Sequence, residues 1–120
     1  MNVVAFITDF FFQAKVAEAA KQVGVELKLV KNLWELFPAL EKNPRLVIVD
    51  LEAEGIDGPA LISQMKSSRP GLSVVAFAPH VQDQLLRQAQ QSGADQALPR
   101  SKFSKDLAEI LQGEGTKSEE

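Results

Sequence analysis

Leu46-Val47-Ile48-Val49 is a run of four aliphatic residues closed by Asp50. Side chains of a strand alternate between faces, so a run that is apolar at every position has no wet side. Such a strand belongs inside a sheet covered on both faces, the arrangement typical of parallel sheets. Asn2 to Thr8 and Leu72 to Ala78 repeat the pattern. The segments between these runs carry helical periodicity, so strand and helix alternate along the chain.

Phe11 to Val23 spaces Ala and Val for one helical face and is stopped by Gly24. Two of the three rings Phe10-Phe11-Phe12 are expected in the core and one near the surface. Val25 to Lys31 largely alternates, as an edge strand with one wet face does. Asn32 is a good N-cap for a second helix bearing Leu33, Trp34, Phe37 and Leu40; Trp34 is either a partner hot spot or, the usual case, cover for the apolar stripe. Pro38 predicts a kink or a short helix there. Arg45 to Val49 is the third, central strand. Pro59 opens a third helix running to about Ser68, and Pro70-Gly71 turns the chain into the fourth strand. A fourth helix over Val81 to Ser92 turns Val81, Leu85, Leu86 and Ala89 inward. Gln96-Ala97-Leu98 is a short fifth strand stopped by Pro99. A fifth helix, Ser104 to Gln112, packs Leu107, Ile110 and Leu111, with Ser101 or Ser104 as its cap.

Residues 1–112 form one domain, and the polar, glycine-bearing tail 113–120 is expected to fray. Parallel strands joined by right-handed helical crossovers give an α/β fold: a flavodoxin-like three-layer sandwich. Its five-stranded parallel sheet is expected in the order 2-1-3-4-5, with five helices and the two lesser strands at the edges.

The chain has 120 residues and a net charge of −3, so no electrostatic footprint for nucleic acid stands out. The basic stretch Arg100 to Lys105 is too short to supply one. The sequence contains no cysteine, which excludes disulfides and thiolate metal sites. No apolar stretch approaches a membrane span, and a cytoplasmic location is expected. His80 lacks a recognisable nucleophile motif nearby and reads as a loop histidine. No glycine-rich phosphate loop follows the first strand, so nucleotide and flavin readings fail.

Asp50, at the carboxyl end of a buried strand, sits where open α/β sheets place their sites. With Val47-Ile48-Val49 before it, Asp57-Gly58 after it, and Gly93-Ala94-Asp95 preceding a short strand, the chain resembles a response-regulator receiver domain of the CheY type. The resemblance covers Val3 to Leu111. It implies that Asp50 is the phosphoacceptor position. In the family an acidic pair ends the first strand and binds a divalent ion. Here that pair falls on Ile7-Thr8, or on Thr8-Asp9 with a one-residue slip, so at most Asp9 survives. The family's Ser or Thr falls on Ala78, its Lys on Arg100 or Leu98, and its aromatic switch on Ala97.

Aspartyl phosphorylation needs a hard cation. Asp9 and Asp50 are the only carboxylates the resemblance offers for Mg²⁺, and Asp9 is the expected cap of the first helix. Arg100 is the natural partner for Asp50, through a two-bonded fork; the rival arrangement is a solvated Arg100 with Asp50 bonded to local backbone donors. The expectation is an atypical stand-alone pseudo-receiver, not an enzyme and without a cofactor, acting independently of phosphorylation as a protein-interaction module in bacterial signal transduction. Its partner is a histidine kinase or a downstream signalling protein, with a homodimer possible through the fourth helix, fifth strand and fifth helix. Gln88, Gln91, Asp95, Lys105 and Glu109 are the residues named for that face. The alternatives are a weakened phosphoacceptor, modified on Asp50 by a histidine kinase with Mg²⁺ held through Asp9, and a small-ligand sensor at the strand rim.

Overall fold

A computed structural model describes residues 2–113; the rest of the tail expected to fray lies outside the described residues. Five strands, β1 (Asn2–Phe6), β2 (Glu26–Val30), β3 (Leu46–Asp50), β4 (Ser73–Ala78) and β5 (Gln96–Pro99), form one sheet. All neighbours are parallel, in the order β2-β1-β3-β4-β5, as the alternation predicts. The helices are α1 (Phe10–Val23), α2 (Leu33–Leu40), α3 (Gly58–Ser68), α4 (Asp83–Gln91), α5 (Arg100–Lys105) and α6 (Leu107–Leu111).

Strand alternation divides the core into two layers. Val4, Phe6, Val47, Val49, Val74, Ala76 and Ala78 face α2, α3 and α4. Val3, Ala5, Ile7, Leu46, Ile48, Val75 and Phe77 face α1, α5 and α6. The helix starts follow from side-chain caps: Asp9 accepts from Phe11 N and Phe12 N, Asn32 from Glu35 N, and Asp57 from Ala60 N. Gly24, at φ 73°, takes the left-handed position that ends α1. Pro38 falls within an eight-residue α2, the short helix of the two outcomes expected.

Five local expectations are corrected. The last helix is two: it starts at Arg100, directly after Pro99, and breaks at Asp106, whose carboxylate pairs with Lys102 at 2.9 Å. Neither Ser101 nor Ser104 caps it, since both lie inside α5. α4 starts at Asp83 because Gln82 N bonds Pro79 O at 2.9 Å in a turn, which leaves Val81 76% exposed. Trp34 is 89% exposed: the Asn32 cap sets a phase in which Leu36, Ala39 and Leu40 meet the core. Phe10 and Phe11 are both exposed and only Phe12 is buried. Successive helical residues point about 100° apart, so a helix starting at Phe10 turns one ring of three inward.

Candidate functional site

Asp50 is the last residue of β3 and is 2% exposed, the buried charged residue of the described chain. Its Oδ1 accepts from Glu52 N at 2.9 Å. Its Oδ2 faces Arg100 Nη2 at 3.8 Å, an ion pair beyond hydrogen-bonding distance. Burial pushes the Asp50 carboxyl above its usual range. The Glu52 N–H bond and the Arg100 charge pull it back, while the Glu52 and Asp9 carboxylates add to the rise.

Arg100 opens α5, and its guanidinium carbon stands 4.9 Å from the Phe12 ring centre and 5.6 Å from that of Phe77. Phe77 in turn stacks on Phe103 at 4.4 Å. The two-bonded fork to Asp50 is therefore not formed. The guanidinium rests on this aromatic platform, which fixes its approach to the carboxylate. Its Nε is buried and meets no acceptor among the described residues. Of the two positions matched to the family's Lys, Arg100 is the one that reaches Asp50. Leu98 packs instead against the core layer shared with α1 and α6.

The other matched positions sit around this pair. Ile7 is fully buried, and its carbonyl accepts from Gln13 Nε2 at 2.6 Å. Thr8 Oγ1 accepts from Glu54 N at 3.2 Å. Asp9 is exposed, with Oδ1 bonded to the first turn of α1 at 2.9 and 3.2 Å. Ala78 is fully buried at the end of β4, beside Pro99 of β5. Ala97 is half-buried and lines a groove with Asp83, Arg87, Gln90, Gln91 and Pro99.

The donor set does not suit a hard divalent ion. Mg²⁺ takes oxygen ligands in near-octahedral geometry. Asp50 Oδ2 faces a guanidinium, Asp9 caps a helix, and Glu52 Oε2 is bonded by Gln82 Nε2 at 2.9 Å. Among the described residues no group of three or more His, Cys, Asp or Glu could hold a metal ion.

The five residues named for an interaction face lie on α4, just before β5, and on α5 and α6. Gln91 lines the groove between α4 and β5, and Gln88 is exposed outside it. Asp95 Oδ2 accepts from Val74 N at 2.8 Å and from Lys66 Nζ at 3.1 Å, tying β5 to β4 and α3. Lys105 and Glu109 are exposed on α5 and α6. His80 is exposed in the turn after β4. Sequence reasoning missed the Phe12–Phe77–Phe103 platform, because nothing in the spacing of the three rings marks them as neighbours. It also missed the exposed ring of Trp34 and the second exposed ring of the Phe10–Phe12 triplet. Phe10, Phe11, Trp34 and Val81 all follow the carboxyl ends of strands, on the same rim as Asp50.

Among the described residues no helix is long and apolar enough to cross a membrane. The response regulator protein VraR of Staphylococcus saprophyticus is 29% identical over 73 residues, covering 61% of this chain and 35% of that protein. VraR of Staphylococcus aureus is 27% identical over the same shares. The chain thus spans about a third of the length of these curated relatives. The receiver domain of NtrX from Brucella abortus superposes with a TM-score of 0.84 at 23% identity, over 99% of this chain and 100% of that one. A response regulator from Thermotoga maritima gives 0.78 at 22% identity, over 93% and 94%. At these identities the structural likeness speaks to the fold. The response regulator receiver domain family matches residues 6–112, and with this sheet order and Asp50 at the rim, the chain belongs to that family.

Proposed function

We propose that this chain is a pseudo-receiver: it signals by docking other proteins, independently of phosphorylation at Asp50, and catalyses no reaction. The observation that carries this reading is the intramolecular cation, Arg100, at 3.8 Å from Asp50 Oδ2. Phosphoryl transfer to a carboxylate relies on a cation that also holds the incoming phosphoryl oxygens. In this chain the charge opposite Asp50 is a side chain braced on two rings, and Asp9 and Glu52 each spend one carboxylate oxygen on another bond. Ala78 has no hydroxyl to be drawn toward a phosphoryl group, and Ala97 has no ring to report one. Coupling from Asp50 to the far surface is therefore small.

Docking is supported by the exposed rings Phe10, Phe11 and Trp34, since aromatic side chains are the usual anchors of protein interfaces. The partner in this reading is a histidine kinase or a downstream signalling protein. Self-association through α4, β5, α5 and α6 would use the groove beside Ala97. One observation favours the second reading, a weakened phosphoacceptor: the Asp9 charge is near enough to raise the Asp50 carboxyl. Acetyl phosphate with Mg²⁺, followed by intact mass, separates the two. An unmodified protein supports the pseudo-receiver. A phosphoryl adduct that Asp50→Asn abolishes and Asp9→Asn weakens establishes the second reading instead.

A further inference from the structure

Among the described residues β2 has a strand neighbour on one side only. Val30 O accepts from Ile7 N at 3.1 Å, while on the other side of β1, Asn2 O accepts from Arg45 N at 2.9 Å. Peptide groups in a parallel ladder alternate in direction from residue to residue. With Asn2 beside Glu26 and Phe6 beside Val30, the N–H and C=O groups of Glu26, Lys28 and Val30 turn toward β1. Those of Leu27 and Leu29 turn outward, and no strand lies beyond β2 among the described residues. The opposite edge, β5, has four residues and ends in Pro99, which has no N–H to offer. An open edge such as β2 is a template for another strand.

We propose that β2 pairs antiparallel with β2 of a second copy of this chain, about a twofold axis through Leu27, joining two sheets into one. Charge selects both the occupant and the register. Glu26 and Lys28 are exposed and lie on the α2 side of the strand, lining a groove with Glu35, Pro38 and Lys42. With the axis at Leu27, Glu26 stands opposite Lys28 of the second copy, and the symmetry makes this contact twice. The outward groups of the two Leu27 residues bond each other. That leaves Glu26 and Lys28 as the non-hydrogen-bonded pair, in which side chains approach more closely.

Other registers lose this match. An axis through Lys28 sets two ammonium groups face to face, and an axis through Glu26 sets two carboxylates face to face. A shift by half a residue opposes outward groups to inward ones and mixes the faces. Lysine on an edge strand ordinarily deters pairing. Here Glu26, two residues away on the same face, supplies the opposite charge and turns the deterrent into a register. The charged groups of the groove, Glu26 and Glu35 with Lys28 and Lys42, balance in sign, so two copies meet without net repulsion there. This interface does not depend on how Asp50 is read.

The test is the mass of the full chain by light scattering and sedimentation from micromolar to millimolar concentration, for wild type, Lys28→Glu, Glu26→Lys and the double exchange. Both side chains are exposed, so circular dichroism and thermal melts confirm that each variant folds. The expected result is a wild-type dimer, each single exchange weaker by at least about tenfold in Kd, and recovery in the double exchange. A wild type that stays monomeric throughout, or a dimer indifferent to both single exchanges, overturns the proposal. A double exchange that fails to recover overturns the register.

Discussion

Replacing Arg100 with methionine keeps an unbranched stem over Phe12 and Phe77 and removes the charge that faces Asp50. Two unit charges at the observed 3.8 Å attract by about 4 kcal/mol at an effective dielectric of about 20. Arg100 is 33% exposed, so solvent screening and the cost of holding its side chain reduce the net value to about 1–2 kcal/mol. Loss of the cation's contact with the two rings adds about 0.5–1 kcal/mol. Arg100→Met is therefore expected to cost about 2 kcal/mol near neutral pH, at about 4 °C of melting temperature per kcal/mol for a domain of this size. The sign with pH is set by Asp50. Its folded-state carboxyl is raised, so its contribution to stability is fully present below the ordinary value of 3.8 and is lost as pH rises through the folded value. Removing Arg100 raises the folded value further, so the penalty grows as pH rises through that window. Well below it, with Asp50 protonated in both proteins, only the ring contact is lost. Asp50→Asn in the Arg100→Met background should recover the ion-pair part, and urea denaturation of all four proteins gives a coupling of about 1–2 kcal/mol. A coupling near zero, or a penalty that does not change between neutral and acid pH, would refute the reasoning.

Three further outcomes are expected. Asp9→Ala removes the α1 cap, costs about 1 kcal/mol in urea denaturation, and is largely recovered by Asp9→Ser, whose hydroxyl caps equally well. Gly58→Ala places a Cβ at 2.7 Å from Leu51 Cδ2, so the buried Leu51 side chain must shift and melting should show a loss of about 1 kcal/mol. Trp34→Ala, at an exposed position, should change stability by less than about 0.5 kcal/mol while weakening capture of a docking partner; a melt lowered by several degrees would put the ring in a structural role.

The layered architecture was legible because it rests on patterns the chain states locally. The apolar run ending at Asp50 has no wet face, so it required cover on both sides. Asn32 and Gly24 mark their helix boundaries by chemistry that needs no tertiary partner. What stayed hidden depends on phase or on distant neighbours. Trp34 looked like part of an apolar stripe, but the phase set by Asn32 turned Leu36, Ala39 and Leu40 inward instead. Val81 looked periodic with Leu85, yet the Pro79–Gln82 turn delays the helix past it. The proximity of Asp50 and Arg100 was readable from their places at the ends of β3 and β5. The geometry of the pair was not, since it is fixed by Phe12, Phe77 and Phe103, which come from three separate elements.

The central claim is that Asp50 faces its own chain's cation in place of a metal and phosphoryl group. Amide spectra of the protein with Mg²⁺ and fluoroberyllate, which mimics a phosphoryl group on a carboxylate, test this most directly. The account predicts resonances of Asp50, Arg100, Ala78 and Ala97 that do not move. Saturable shifts that start at Asp50 and reach Ala97 across the sheet would contradict it.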